Sequence, residues 1–200
     1  MPGIFPDWHG EIVVVAASGL SLDQSDLELV RGRARLIVIN SSWKMAPWAD
    51  ALYGCDEHWW RKKGPTPEQF AGLRFIGMRE FPGCVSCGVA SGEGFMRWCG
   101  ERLGSGWNSG FQALNLAAVS GARRVVLTGY DLQRTDEQSH WHGDHGDGLN
   151  NPSARTLEGF RQWIDQAAPD LEAHGVEVVN ATRNTALRAY WRASMETALQ

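Results

Sequence analysis

A polar turn, a helix of small residues and a short apolar strand follow one another within residues 106–131. Apolar side chains recur at helical spacing between Phe111 and Ala118, and Gly121 is typical of the residue just past the end of a helix. Residues 125–127, Val-Val-Leu, are apolar without alternation, which predicts a strand buried on both faces, as in a parallel sheet. This unit favours an α/β fold.

The same alternation opens the chain, where residues 12–16 and 36–39 are apolar runs and residues 22–30 can form a helix between them. Two buried strands joined in this way predict a right-handed βαβ unit. Further predicted elements are a short helix or strand at 48–53, a helix start at 56–60, a strand at 72–78, a short helix within 95–103, a helix at 154–168 capped by Ser153, a strand at 176–179 and a short C-terminal helix. The sequence thus predicts a single three-layer Rossmann-like α/β domain over residues 1–200, with a mainly parallel sheet.

Composition and charge narrow the class of partner. A hydrophobic content of 43% suffices for a full core, and a net charge of -4 leaves no basic footprint for nucleic acid. No apolar run is long enough for a transmembrane helix, and the first residues lack the pattern of a signal peptide. We therefore expect a cytoplasmic protein with no nucleic-acid partner. Five tryptophans in polar, glycine-rich context are predicted to line a cleft: Trp43, Trp59, Trp60, Trp107 and Trp141.

Small polar residues recur at the ends of the predicted strands and before the central helix. They are Ser18, Gly19, Ser21, Asn40, Ser41, Asn108, Ser109, Gly110, Gly129, Tyr130 and Asp131. Each of them alone is also compatible with an ordinary turn or helix cap. Glycine lets a phosphate approach backbone amides, Asn and Ser can bind a base and ribose, and open α/β sheets bind ligands at this edge. Together they predict a nucleotide site, although neither a G-x-G-x-x-G nor a P-loop motif is present.

Several of these stretches resemble a known Rossmann-like group. Residues 13–22, V-V-V-A-A-S-G-L-S-L, resemble its first strand and G-N-G-P-S-L turn, with Ala, Ser and Leu where that group favours Gly, Asn and Pro. Residues 36–40 resemble its second strand, which ends in Asn. Ser109-Gly110 with residues 125–131 resembles its S-G…G-x-D segment, and residues 178–187 its closing N-x-x-x-S-x-L stretch. The group contains bacterial CMP-sialic acid sialyltransferases and the DUF115 proteins, which are similar to 6-hydroxymethylpterin diphosphokinases.

This resemblance implies a nucleotide-dependent transfer of a sugar or a diphosphate. It also implies which side chains contact the nucleotide, namely Gly19, Ser21, Asn40, Ser109, Gly129 and Asp131. In the sialyltransferase-like proteins a histidine acts as general base on the acceptor hydroxyl, so the resemblance makes His140, His142 and His145 candidates for that role. Asp131 then either orients one of these rings or binds a metal held on the phosphates.

The string His-Trp-His-Gly-Asp-His at residues 140–145 lies in a long polar loop, residues 132–153, directly after the strand that ends near Asp131. Long loops in compact domains are usually functional or disordered. The candidate metal ligands are His140, His142, Asp144 and His145, with Asp147 just beyond. The spacing matches the H-x-H-x-D-H motif of metallo-β-lactamase-fold hydrolases, but that fold carries it early and needs ligands far downstream, where only His174 remains.

Three functions follow from these observations. The preferred one is a sialyltransferase-like glycosyltransferase that uses a nucleotide-sugar donor. The second is a metal-dependent hydrolase or diphosphokinase that uses the histidine loop, with Mg²⁺, Mn²⁺ or Zn²⁺ as the ion. The third is a nucleotide-binding module without catalysis.

Overall fold

A computed structural model describes residues 3–90, 96–98, 102–146 and 148–200. Over these residues the chain forms one sheet of eight parallel strands, which confirms the predicted Rossmann-like α/β fold. In chain order the strands are β1 (Ile12–Ala16), β2 (Arg35–Ile39), β3 (Ala51–Gly54), β4 (Leu73–Ile76), β5 (Val85–Ser86), β6 (Arg124–Thr128), β7 (Glu177–Asn180) and β8 (Trp191–Arg192). Across the sheet they lie in the order β5-β4-β3-β2-β1-β6-β7-β8.

Strand β1 is the branch point of this sheet. Its Val14 pairs with Leu36 of β2 on one side and with Val126 of β6 on the other. The chain builds outward from β1 through β2 to β5 and then returns to the far side of β1 with β6. A reversal of this kind leaves a crevice at the carboxyl ends of the two neighbouring strands, because their connections diverge there.

Helices cover both faces of the sheet and create three layers. They are α1 (Gln24–Val30), α2 (Glu57–Lys63), α3 (Ser109–Val119), α4 (Ala154–Gln166), α5 (Ala168–Ala173) and α6 (Met195–Ala198), with a 3-10 helix at Asn40–Lys44. Alternate residues of β1 enter the two cores: Val13 packs in the cluster that contains Leu114 of α3, and Val14 in the cluster that contains Leu27 of α1. Each such side chain stabilises the fold by roughly 1.5–3 kcal/mol on burial.

Helix boundaries follow the predicted capping residues. Ser153 accepts a hydrogen bond from the backbone N–H of Thr156 at 3.1 Å, and Asp56 accepts one from the N–H of His58 at 3.0 Å. The helix predicted over residues 154–168 ends at Gln166, and α5 follows at once. Its second residue is Pro169, which is tolerated in a first turn because the N–H it lacks has no partner there.

The irregular and edge segments differ most from expectation. Of the two alternatives for residues 48–53, the strand is confirmed as the start of β3, whereas the short strands β5 and β8 were not predicted. The helix predicted within residues 95–103 falls partly outside the described residues. Its described part is not helical, and Leu103 there forms a bridge with Val89. Across the described parts of the chain, none of the helices combines the length and apolarity needed to cross a bilayer.

Candidate functional site

A cleft of about 920 Å³ opens at the carboxyl ends of the central strands. Ten of the fifteen predicted site residues that the structure describes line it: Ser18, Gly19, Asn40, Asn108, Ser109, Gly110, Gly129, Tyr130, His140 and His145. Five lie outside its lining: Ser21, Ser41, Asp131, His142 and Asp144. Asp147, the further candidate ligand, lies outside the described residues. The cleft therefore brings together residues that are far apart in the sequence.

The tips of β1 and β6 are tied to each other by one carboxylate. Asp131 accepts hydrogen bonds from the backbone N–H of Ser21 at 2.9 Å and from its hydroxyl at 2.6 Å, one on each oxygen. The side chain is almost wholly buried, at 2% exposure. Burial raises the pKa of this carboxyl group, and the two bonds from Ser21 oppose the shift. In this arrangement Asp131 holds the β1 turn rather than a histidine ring.

Two glycines allow the tips to come this close. A Cβ atom on Gly19 would lie 2.2 Å from a carboxylate oxygen of Asp131, which is shorter than any real contact. Gly129 has a φ of 68°, in the left-handed region, and a Cβ there would lie 2.6 Å from the carbonyl oxygen of Ala17. These glycines are needed for packing between the two turns, besides any contact with a ligand.

The tip of β2 carries an unsatisfied polar atom on a residue that lines the cleft. Asn40 has a left-handed backbone, with a φ of 48°, and its side-chain oxygen Oδ1 is buried without a hydrogen-bond partner among the described residues. Its neighbour Ser41 is buried outside the lining, and Ser42 donates to the carbonyl oxygen of Ala17 at 3.0 Å. A buried acceptor without a partner is costly, so Asn40 is suited to bind a ligand donor.

Helix α3 begins at the wall of the cleft. Asn108 caps it by accepting from the N–H of Phe111 at 2.8 Å. The hydroxyl of Tyr130 donates to the carbonyl oxygen of Gly110 at 2.9 Å and joins the β6 tip to this helix start. The positive end of the helix dipole therefore faces the cleft beside Ser109, where a negatively charged group is favoured.

The described residues of the loop 132–153, which we call the flap, fold onto these tips. The backbone N–H of Trp141 donates to the carbonyl oxygen of Ser18 at 3.1 Å. Farther along, His145 and Asn151 exchange two hydrogen bonds, N–H to Oδ1 at 2.7 Å and Nδ2 to carbonyl oxygen at 3.0 Å. The flap thus covers the cleft with His140 and His145 in its lining.

The three histidine rings of the flap lie together. The ring centres are 5.2 Å apart for His140 and His142, 4.9 Å for His140 and His145, and 4.8 Å for His142 and His145. Burial, followed by the neighbouring rings, lowers the pKa of both His140 and His142 to about 4, and burial also lowers the pKa of His145. All three are therefore neutral near pH 7, each with one ring nitrogen free of a proton.

Sequence reasoning missed most of a second wall of the cleft and anticipated only the helix start at residues 56–60. This wall consists of one face of α4 and of residues after β3 and β4: Thr156, Leu157, Phe160, Ile164, Cys55, Asp56, His58 and Met78. The helical spacing of the α4 residues was visible but is equally typical of a core-facing stripe. Of the five tryptophans expected to line a cleft, Trp107, which is 62% exposed, and Trp59 do so. Trp60 is instead core, and its indole N–H donates to the carbonyl oxygen of Gly54 at 3.0 Å.

Comparison with known proteins adds no family assignment. No protein-family model matches the chain, and no curated protein matches it.

Proposed function

We propose that this protein is a nucleotide-dependent group transferase of the glycosyltransferase type, which takes a sugar from a nucleotide-sugar donor. The observation that carries the proposal is the single cleft into which the ends of β1, β2 and β6, the start of α3 and the histidine flap all open. This is the position at which open α/β sheets bind nucleotides, at the carboxyl ends of strands on either side of a reversal in strand order.

Different parts of the cleft suit the phosphate and the nucleoside of a nucleotide. The start of α3 at Ser109 offers a positive dipole end for a phosphate, and Oδ1 of Asn40 can accept from a ribose hydroxyl or a base amine. The described residues that line the cleft include no Lys or Arg. Without a cationic side chain, this lining offsets one negative charge better than two or three. We therefore favour a nucleotide-sugar donor with a single phosphate.

The flap supplies a group that can accept a proton. In the transfer, the acceptor hydroxyl oxygen bonds to the sugar carbon as the carbon–oxygen bond to the phosphate breaks, and the nucleotide leaves with the electron pair. The acceptor proton passes to a neutral imidazole, for which His140 and His145 are placed in the lining. A bound phosphate raises the pKa of a neighbouring imidazole from its low value, toward the range useful for a base.

A thermal-shift screen with CMP, UDP and ATP tests this proposal, since a ligand of the folded state raises the melting temperature. We expect a nucleoside monophosphate to stabilise the protein most. Asn40→Gly keeps the left-handed backbone and removes the unpaired oxygen, so we expect about tenfold weaker binding. Asp136→Gly is the matched control, because Asp136 has a φ of 49° on an exposed turn outside the cleft.

The screen, together with an assay for release of sugar or phosphate, separates the other functions. No stabilisation by any nucleotide would overturn the proposal. Binding without release of sugar or phosphate from any donor would leave a nucleotide-binding module. Hydrolysis of a substrate without an acceptor, dependent on added metal, would favour the hydrolase.

A further inference from the structure

The histidine cluster of the flap is the strongest unexplained feature outside the strand tips. His140, His142 and His145 come from a short stretch, yet their rings are gathered on one side of it with centres 4.8–5.2 Å apart. Gathering them is unfavourable by itself, because each ring loses hydration, and because His145 disfavours protonation of His140 and of His142. Moreover, Nε2 of His142 is buried with no hydrogen-bond partner in the described part of the chain.

The spacing of the rings matches that of imidazoles around one metal ion. With a metal–nitrogen bond of about 2.0–2.1 Å, two histidine rings on a tetrahedral ion have centres about 5 Å apart. As described, no three His, Cys, Asp or Glu side chains already surround a common point. The ring centres therefore have the spacing of ligands on one metal ion, but the ring nitrogens do not surround a common point. Rotation about χ2 of histidine is soft and re-aims the nitrogens with little movement of the ring centres.

The charges near the cluster act in both directions. Lys44 lies close enough to disfavour a proton on His142, and Lys63 does the same for His145. The carboxylate of Asp144 favours positive charge on His140 and His145. The carboxylate of Asp144 beside the rings partly offsets the charge of the two lysines, which would otherwise oppose a bound cation.

We propose that His140, His142 and His145 bind one divalent transition-metal ion, with Zn²⁺ as the best fit. Three imidazoles suit Zn²⁺ and its first-row neighbours, whereas Mg²⁺ prefers oxygen ligands and keeps much of its water. Three protein ligands leave a fourth position open, and two of the three, His140 and His145, line the cleft. This proposal does not depend on nucleotide transfer.

Metal binding changes what the rings do in the reaction proposed above. A nitrogen lone pair that binds a metal cannot also take a proton. With His140, His142 and His145 as its ligands, a bound ion would supply Lewis acidity that lowers the pKa of a nearby hydroxyl group or water. Metal binding and nucleotide binding can be measured independently of each other.

Titration of the chelator-stripped full chain with Co²⁺, followed by displacement with Zn²⁺, tests the proposal. We expect one equivalent to bind, with the intense visible absorption of tetrahedral Co²⁺, and no competition from excess Mg²⁺. His140→Ala, His142→Ala and His145→Ala should each weaken binding at least tenfold. His9→Ala, on an exposed residue far from the flap in the sequence, should leave binding unchanged.

A second measurement keeps the test decisive if a variant fails to fold. In the wild-type chain, Zn²⁺ should shift the imidazole nitrogen NMR signals of three histidines and leave the other three in place. Absence of stoichiometric binding, or binding that all three alanine variants retain, would overturn the proposal. Nucleotide stabilisation that persists in metal-free protein would leave the proposed function standing in either case.

Discussion

The turn between β1 and α1 and the flap differ in how their polar groups are satisfied. In the turn, both oxygens of Asp131 accept from Ser21, and the N–H of Gly19 donates to the carbonyl oxygen of Gly129 at 2.9 Å. In the flap and the facing β2 tip, Nε2 of His142 and Oδ1 of Asn40 are buried with no partner among the described residues. The polar groups of the turn are satisfied within the protein, whereas the flap and the β2 tip keep polar atoms that can bind a ligand.

This contrast separates residues that build the cleft from residues that can hold a ligand. Polar side chains at strand ends look alike in a sequence, since Asp131 and Asn40 both follow buried strands. The structure assigns Asp131 to the fold through Ser21, whereas Asn40 lines the cleft and its buried Oδ1 has no hydrogen-bond partner among the described residues. We therefore expect changes in the turn to affect stability and changes at Asn40 and the flap to affect binding.

The largest effect is expected at Gly19. In Gly19→Ala the added methyl group would lie 2.2 Å from Asp131 and 2.5 Å from the carbonyl oxygen of Gly129, so the two turns must separate. We expect a loss of more than about 3 kcal/mol in the free energy of unfolding, measured by urea denaturation. Stability within about 0.5 kcal/mol of wild type would show that the turns are not packed as described.

Asp131→Ala should come next. It removes both hydrogen bonds from Ser21 to the buried carboxylate and leaves the backbone N–H of Ser21 without its acceptor. We expect the free energy of unfolding to fall by about 3 kcal/mol. Ser21→Ala keeps the backbone bond and removes only the hydroxyl, so it serves as the milder partner, at about 1 kcal/mol. If Asp131 instead acts on the ligand, Asp131→Ala will unfold like wild type and lose nucleotide binding.

The flap should respond to pH rather than to packing. The pKa of His140 and of His142 is about 4 in the folded protein and about 6.5 in an unfolded chain. Between these values only the unfolded chain binds the protons, so stability falls as pH falls from about 6.5 to about 4 and then levels off. Because the two rings are partly solvated and affect each other's protonation, we expect the free energy of unfolding to fall by on the order of 2 kcal/mol over this range.

Urea denaturation of metal-free protein across this pH range measures the effect. The double variant His140→Gln/His142→Gln removes both rings, and its stability should depend less steeply on pH than that of wild type. Equal slopes for the two proteins would mean that the rings are solvated, and the contrast between turn and flap would fail.

The smallest effect is expected at Gly159, inside α4. A Cβ there meets no atom within 4 Å, and the backbone is helical. Gly159→Ala should therefore raise stability by about 0.5–1 kcal/mol, because alanine loses less backbone entropy in a helix. It is also the matched control for Gly19→Ala. A loss of stability would show that the α4 wall of the cleft is packed more closely than described.

The central fold could be predicted because its signals are local. The apolar runs of β1, β2 and β6 mark buried strands, and Ser153 marks the start of α4. Strands β5 and β8 have only two residues each, of partial or high exposure, so they carry no periodic signal. Helix α5 was missed because Pro169 indicates a helix end as readily as a first turn.

The convergence of the strand ends on one cleft was predictable, but the detailed contacts there were not. The strand ends point to one edge of the sheet from the sequence alone, because parallel strands share that edge. The pairing of Ser21 with Asp131 joins residues 110 positions apart and has no local signal. Likewise, the face of α4 that carries Phe160 follows a core-like pattern, and only the packing shows that it lines the cleft.

A crystal structure of the protein soaked in turn with CMP, UDP and ATP decides whether the cleft binds a nucleotide. We expect a nucleotide in the cleft, with its phosphate at the start of α3 beside Ser109 and its base or ribose within hydrogen-bond distance of Asn40. A nucleotide bound elsewhere on the protein, or a cleft that stays free of nucleotide at saturating concentration, would contradict it.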